Sequence, residues 1–180
     1  QNSSNSCLQS CTEMHVDQIL HTKKPVETKI ILDTKPEEIL HCVLVEGTPG
    51  VGKTTLSWEI CKKWGRGELY IPTVHCCMLR LRDLTVQNAK SIMDLISYMY
   101  RNERYKSGTS QHLEDTKGRD TLVILEGLDE LPKHLLNTDQ PSIFTDLLSR
   151  KLLPNATILV TSRPLATVQL RKEWEISRHI

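Results

Sequence analysis

A three-layer α/β fold, with helices on both faces of a mostly parallel sheet, is predicted by three observations on this sequence. From Ile39 onward, short apolar runs alternate with segments of helical periodicity, the order that strand-helix units around a parallel sheet produce. The run Leu122-Val123-Ile124-Leu125 is apolar at every position, as a strand covered on both faces should be. A glycine-rich turn also joins the first apolar run directly to the first helix.

The first strand covers Cys42 to Val45. Beyond the turn, Leu56, Ile60 and Trp64 recur every four residues and give the next helix one apolar stripe. Lys62, Lys63 and Arg66 gather at its end, where they complement the helix dipole, and Gly65 and Gly67 stop it. A second strand fits Val74 to Leu81. Ile92, Leu95, Ile96 and Met99 then fall at helical spacing, with Asn88 as the expected cap. Residues 101 to 120 carry many charges and hardly any apolar side chain, which predicts a solvated insertion. The third strand is Thr121 to Leu125. Ile143, Phe144, Leu147 and Leu148 mark a helix with Pro141 near its start, ended by Pro154 and Asn155. Ala156 to Val160 form a fourth strand, a last helix runs from Pro164 toward Trp174, and a fifth strand begins near Ile176.

Composition bounds the function. The 180 residues give one domain's worth of core. Lys and Arg number 23 against 22 Asp and Glu, interspersed throughout, so bulk charge does not hold a nucleic acid or a membrane surface. No apolar stretch approaches the roughly 20 residues of a spanning helix. Residues 1–28 are polar and aperiodic and read as a linker or the end of a preceding module, and 29–180 read as the folded domain. The start at Gln1, with neither an initiator Met nor a signal-like order, reads as a piece of a longer protein. The six cysteines read as reduced thiols of a cytoplasmic protein. Cys7, Cys11 and His15 are four apart and would share one helix face, but no fourth metal ligand is near them.

Gly47, Thr48, Pro49, Gly50, Val51, Gly52, Lys53 and Thr54 match G-x-x-x-x-G-K-[ST] between a strand and a helix. The glycines allow torsions that turn backbone N–H groups inward as an anion nest, and the helix that begins near Lys53 adds its positive end. In this arrangement Lys53 serves the β- and γ-phosphates of a nucleotide, Thr54 a Mg²⁺ ion, and Thr55 the α-phosphate.

The third strand runs into Glu126-Gly127-Leu128-Asp129-Glu130, which puts three carboxylates past the sheet's C-terminal edge, where ligands of open α/β sheets lie. Glu126 is assigned to the metal, and Asp129 or Glu130 to the attacking water. The fourth strand ends in Thr161-Ser162-Arg163-Pro164, and Arg163 is placed as a γ-phosphate sensor.

Together, Gly47 to Thr55, Leu79-Arg80-Leu81-Arg82-Asp83-Leu84, Leu122 to Leu131 and Thr161 to Pro164 resemble the NACHT domain of the STAND class of P-loop NTPases, as found in NOD-like receptors. The resemblance implies the three-layer αβα P-loop fold, here ending before the family's helical and winged-helix parts. It also implies an ATP/ADP switch in cytoplasmic innate-immune signalling that self-associates in its ATP state and unites effector and sensor modules outside this chain. The family most often has Asp where this chain has Glu126, so the carboxylate sits one methylene further out. Three other readings share the scaffold: a small-molecule kinase with residues 101 to 119 as its lid, a nucleotide-binding scaffold without hydrolysis, and a nucleic-acid motor. The last is opposed by the charge balance and the scarcity of aromatic stacking platforms.

Overall fold

Leu122 and Ile124 face one side of the sheet, Val123 and Leu125 the other, and each pair joins a separate apolar cluster. That division makes three layers. The computed structural model describes residues 31–32, 40–69, 71, 73–100 and 103–180. Among these residues five strands, β1 (Cys42–Glu46), β2 (His75–Arg80), β3 (Thr121–Glu126), β4 (Thr157–Ser162) and β5 (Arg178–His179), form one sheet in the order β2-β3-β4-β1-β5. Every pairing is parallel. β3 is buried along its whole length, which explains its unbroken apolar run.

Helix α1 (Lys53–Gly65) covers one face with Ile60 fully buried and Leu56 partly so. The other face carries α2 (Leu84–Gln87), α3 (Ile92–Met99), α4 (Glu103–Thr116), α5 (Ile143–Leu148) and α6 (Thr167–Glu173), which contribute Val86, Leu95, Leu113, Phe144 and Leu170 to one cluster. Lys62 and Lys63 occupy the last turn of α1 and Gly67 follows with φ 70°, as its sequence predicts.

Three expectations are corrected. Residues 103–116 form helix α4 rather than a solvated loop. Thr109 and Leu113, one turn apart, are its buried contacts, and so narrow a stripe in a polar sequence gives no readable period. Asn88 does not cap α3. It ends α2, and Ser91 begins α3 with a capping box, in which its hydroxyl accepts from the Asp94 N–H while Asp94 accepts from the Ser91 N–H. Helix α5 stops at Leu148 instead of continuing to Pro154, and positive φ at Arg150 and Leu153 turns the chain back to β4. A Ser142–Thr145 capping box opens it. The expected strand bounds differ from those observed by a residue or two.

Cys7, Cys11 and His15 lie outside the described residues. Among the described residues no group of three or more His, Cys, Asp or Glu gathers to hold a metal, and no helix is long and apolar enough to cross a membrane.

Candidate functional site

The strand order decides which side chains meet. β4 lies between β1 and β3, so the glycine-rich loop after β1, the acidic turn after β3 and Arg163 after β4 emerge at one edge of the sheet. Parallel pairing in register sets Glu46 beside Ser162 and Glu126 beside Thr161.

Within the loop, Gly50 and Gly52 adopt φ 82° and 97°, the left-handed region that glycine enters without penalty. A Cβ on Gly47 would fall 2.5 Å from the Val51 side chain. The Gly47 N–H donates to the Ser162 carbonyl at 3.2 Å, and the Leu56 N–H donates to the Gly52 carbonyl at 2.9 Å as α1 begins. Lys53 folds its ammonium over the loop backbone, donating to the Gly47 carbonyl at 2.6 Å and the Thr48 carbonyl at 3.1 Å. Thr48, Pro49, Val51, Thr54 and Thr55 complete this loop and first helical turn, with Val51 exposed.

Across the edge, the Thr54 hydroxyl donates to Glu126 Oε1 at 2.5 Å. Glu126 is buried, and its second oxygen, Oε2, has no hydrogen-bond partner among the described residues. A buried carboxylate oxygen without a donor is costly unless a cation serves it. Two oxygen donors on adjacent elements suit a hard divalent ion such as Mg²⁺, which takes few protein ligands. The residues present therefore fit that ion, Glu126 included despite its extra methylene.

Gly127 follows with φ 81°, and its N–H donates to the Thr161 carbonyl and hydroxyl at 3.2 and 3.1 Å. This turn sends Leu128 into the core and Asp129 and Glu130 outward. Asp129 pairs with Arg163, at 3.0 Å from its side-chain Nε and 3.2 Å from its backbone N–H. Glu130 is exposed, and among the described residues its carboxylate has no hydrogen-bond or ion-pair partner. The structure thus separates the two acids that the sequence left as alternatives.

Glu46 escaped the sequence reading. Its carboxylate, 11% exposed, meets the Thr167 hydroxyl, Arg171 at 3.4 Å and His179 at 3.1 Å. Burial would raise its pKa, but the Thr167 and His179 hydrogen bonds, with the charges of Arg171 and His179, outweigh that and hold the carboxyl below its ordinary range. A Glu between a strand and a glycine-rich loop carries no local signal of partners more than 120 positions away.

The family model for the NACHT domain matches residues 41–180. The chain is 27% identical over 176 residues to the human NACHT, LRR and PYD domains-containing protein 3, covering 87% of this chain and 16% of that protein. The mouse protein of the same name is 28% identical over 161 residues, 79% of this chain and 15% of its own length. NACHT, LRR and PYD domains-containing protein 1a allele 5 of Rattus norvegicus is 29% identical over 153 residues, 77% and 12% respectively. The chain thus spans less than a fifth of the length of these relatives. With the P-loop α/β architecture and the family match over most of its length, this chain belongs to the NACHT domain family.

Proposed function

We propose that this domain is an ATP/ADP switch, binding nucleotide with Mg²⁺ at residues 47–55 and hydrolysing ATP slowly, within a cytoplasmic protein of innate-immune signalling. The observation that carries the reading is the Thr54–Glu126 contact at 2.5 Å beside the buried Glu126 Oε2, which has no partner among the described residues. The loop's N–H groups and the α1 N-terminus orient the phosphates, and Lys53 supplies a point charge. Thr54 and Glu126 hold the cation, which when bound neutralises charge on the β- and γ-phosphates. Glu130, exposed and without a competing partner, positions the attacking water. Asp129 acts by holding Arg163 in place as the γ-phosphate sensor. A P-loop site without an arginine supplied in trans turns over at roughly 10⁻⁴ to 10⁻² per second, a rate suited to a switch.

Self-association in the ATP state, joining effector and sensor modules elsewhere in a longer protein, completes this reading. Residues 1–28 serve as a linker or the end of a preceding module, and 29–180 as the switch domain. The kinase alternative loses support because residues 103–116, within the 101–119 segment it needs as a lid, form a helix with Thr109 and Leu113 buried. Scaffolding without hydrolysis keeps one specific observation in its favour, the Glu at position 126.

Labelled ADP and ATP binding with and without Mg²⁺ tests the first reading. Lys53→Ala is expected to abolish binding, and unchanged affinity would sink it. Single-turnover phosphate release that vanishes in Glu130→Gln separates the switch from the scaffold.

A further inference from the structure

Glu46 ends β1 and immediately precedes the loop that is read as an anion cradle. A carboxylate there opposes anion binding unless its charge is neutralised nearby. Its neighbours supply that neutralisation. The Thr167 hydroxyl donates to Oε1, the Arg171 guanidinium lies 3.4 Å from the same oxygen, and His179 Nε2 lies 3.1 Å from Oε2.

All three neighbours belong to the segment that follows Arg163. Thr167 and Arg171 are one turn apart on α6, and His179 is on β5. The backbone repeats the pattern, because the Glu46 N–H donates to the Ile180 carbonyl at 2.8 Å while the Gly47 N–H donates to Ser162. The root of the loop is therefore stitched to both ends of residues 162–180. If 164–180 moved off β1, Thr167, Arg171 and His179 would leave together, and a bare carboxylate would remain beneath the loop.

We propose that Glu46 is a coupling residue, which makes phosphate affinity at the loop depend on docking of residues 164–180 against β1. By reciprocity, a nucleotide held in the loop tightens that docking. The proposal rests on the nucleotide reading above and deepens it by naming the segment that the site controls.

The test is labelled-ADP binding to the wild type, Lys53→Ala, Arg171→Ala, Glu46→Gln and the Glu46→Gln/Arg171→Ala double variant. Arg171→Ala removes the guanidinium that balances the carboxylate, leaving only the Thr167 hydroxyl and His179, and is expected to weaken ADP about fivefold or more. The double variant removes the charge and is expected to return to within about twofold of Glu46→Gln alone. A purely structural role gives no such rescue, so losses that simply add overturn the proposal.

Hydrogen exchange supplies the reciprocal measurement. The Ser177 and Ile180 amides, which donate to Cys42 and Leu44 at 2.8 and 2.9 Å, are expected to slow on ADP binding in the wild type but not in Glu46→Gln. Equal slowing in both overturns the proposal. Exchange of the β3 amides reports whether each variant folds, and His179→Ala, at an exposed partner, replaces any that does not. A wild type that binds no ADP, or a Lys53→Ala variant that binds it equally well, defeats the nucleotide reading and the coupling together. Binding abolished by Lys53→Ala with additive losses defeats the coupling alone.

Discussion

Asp129 holds Arg163 twice, through a side-chain ion pair at 3.0 Å and through the Arg163 backbone N–H at 3.2 Å. The acid follows β3 and the arginine follows β4, so the contact ties two neighbouring strand ends together at the candidate site. Arg163 remains more than half exposed, and the pair contributes at most about 1 kcal/mol to stability.

Its consequence is therefore expected in turnover rather than in folding. Asp129→Asn and Arg163→Ala should each slow single-turnover phosphate release. Their double variant should be no slower than the worse single variant, because each acts through the other. Melting temperatures should move little. Multiplicative losses in the double variant would show that the two side chains act independently.

The loop glycines predict a contrast with a helical one. Gly52→Ala forces a Cβ into the left-handed region at φ 97° and should cost about 1–2 kcal/mol. Gly65→Ala, in the last turn of α1 with open space where the Cβ would go, should stabilise by about 0.5–1 kcal/mol. Denaturant melts of both variants check the signs.

The described cysteines should differ in reactivity. Burial pushes Cys42 and Cys77 up to about 12. Cys61 is half-buried on α1, 3.9 Å from Cys76 on β2. The Cys76 hydrogen bond favours the Cys61 thiolate and holds its pKa below the ordinary range, while it raises that of Cys76. Iodoacetamide labelling followed by mass spectrometry should find Cys61 modified first of these four. Faster labelling of Cys77 would contradict the packing.

Stability should fall with acid in two steps. His75 packs edge-on against His112 at 4.9 Å, and burial, followed by the His112 charge, lowers its pKa. Burial lowers His41 as well, assisted by Arg150. For a lowered histidine the unfolded chain binds the proton more readily, so its contribution is complete above about 6.5 and is lost as pH falls through the folded value. Glu46 is lowered from 4.5, so its contribution holds above that pH and is lost further down, as pH falls through its own folded value. Thermal melts across pH 3 to 8 should show both steps, the first reduced in His75→Phe and the second in Glu46→Gln.

Features encoded by local chemistry are legible in the amino-acid order. The apolar run of β3, the stripe of α1, the glycines after β1 and the lysine they introduce each express one backbone period or one set of torsions within a few residues. Those signals were enough to read the parallel α/β class and the family. Helix α4 is not legible because, among its described side chains, Thr109 and Leu113 alone are buried, too few to reveal a period. Asn88 does not cap α3 because Ser91, three residues before Asp94, forms the reciprocal capping box there.

The pairings at the site, by contrast, arise from the three-dimensional arrangement of the strands. Thr54 meets Glu126 across 72 residues, Asp129 meets Arg163 across 34, and Glu46 meets Thr167 across 121. These contacts follow from the position of β4 between β1 and β3 and of β5 beside β1. Strand order comes from burying both faces of the whole sheet at once, a global balance of apolar area that no local stretch of sequence records.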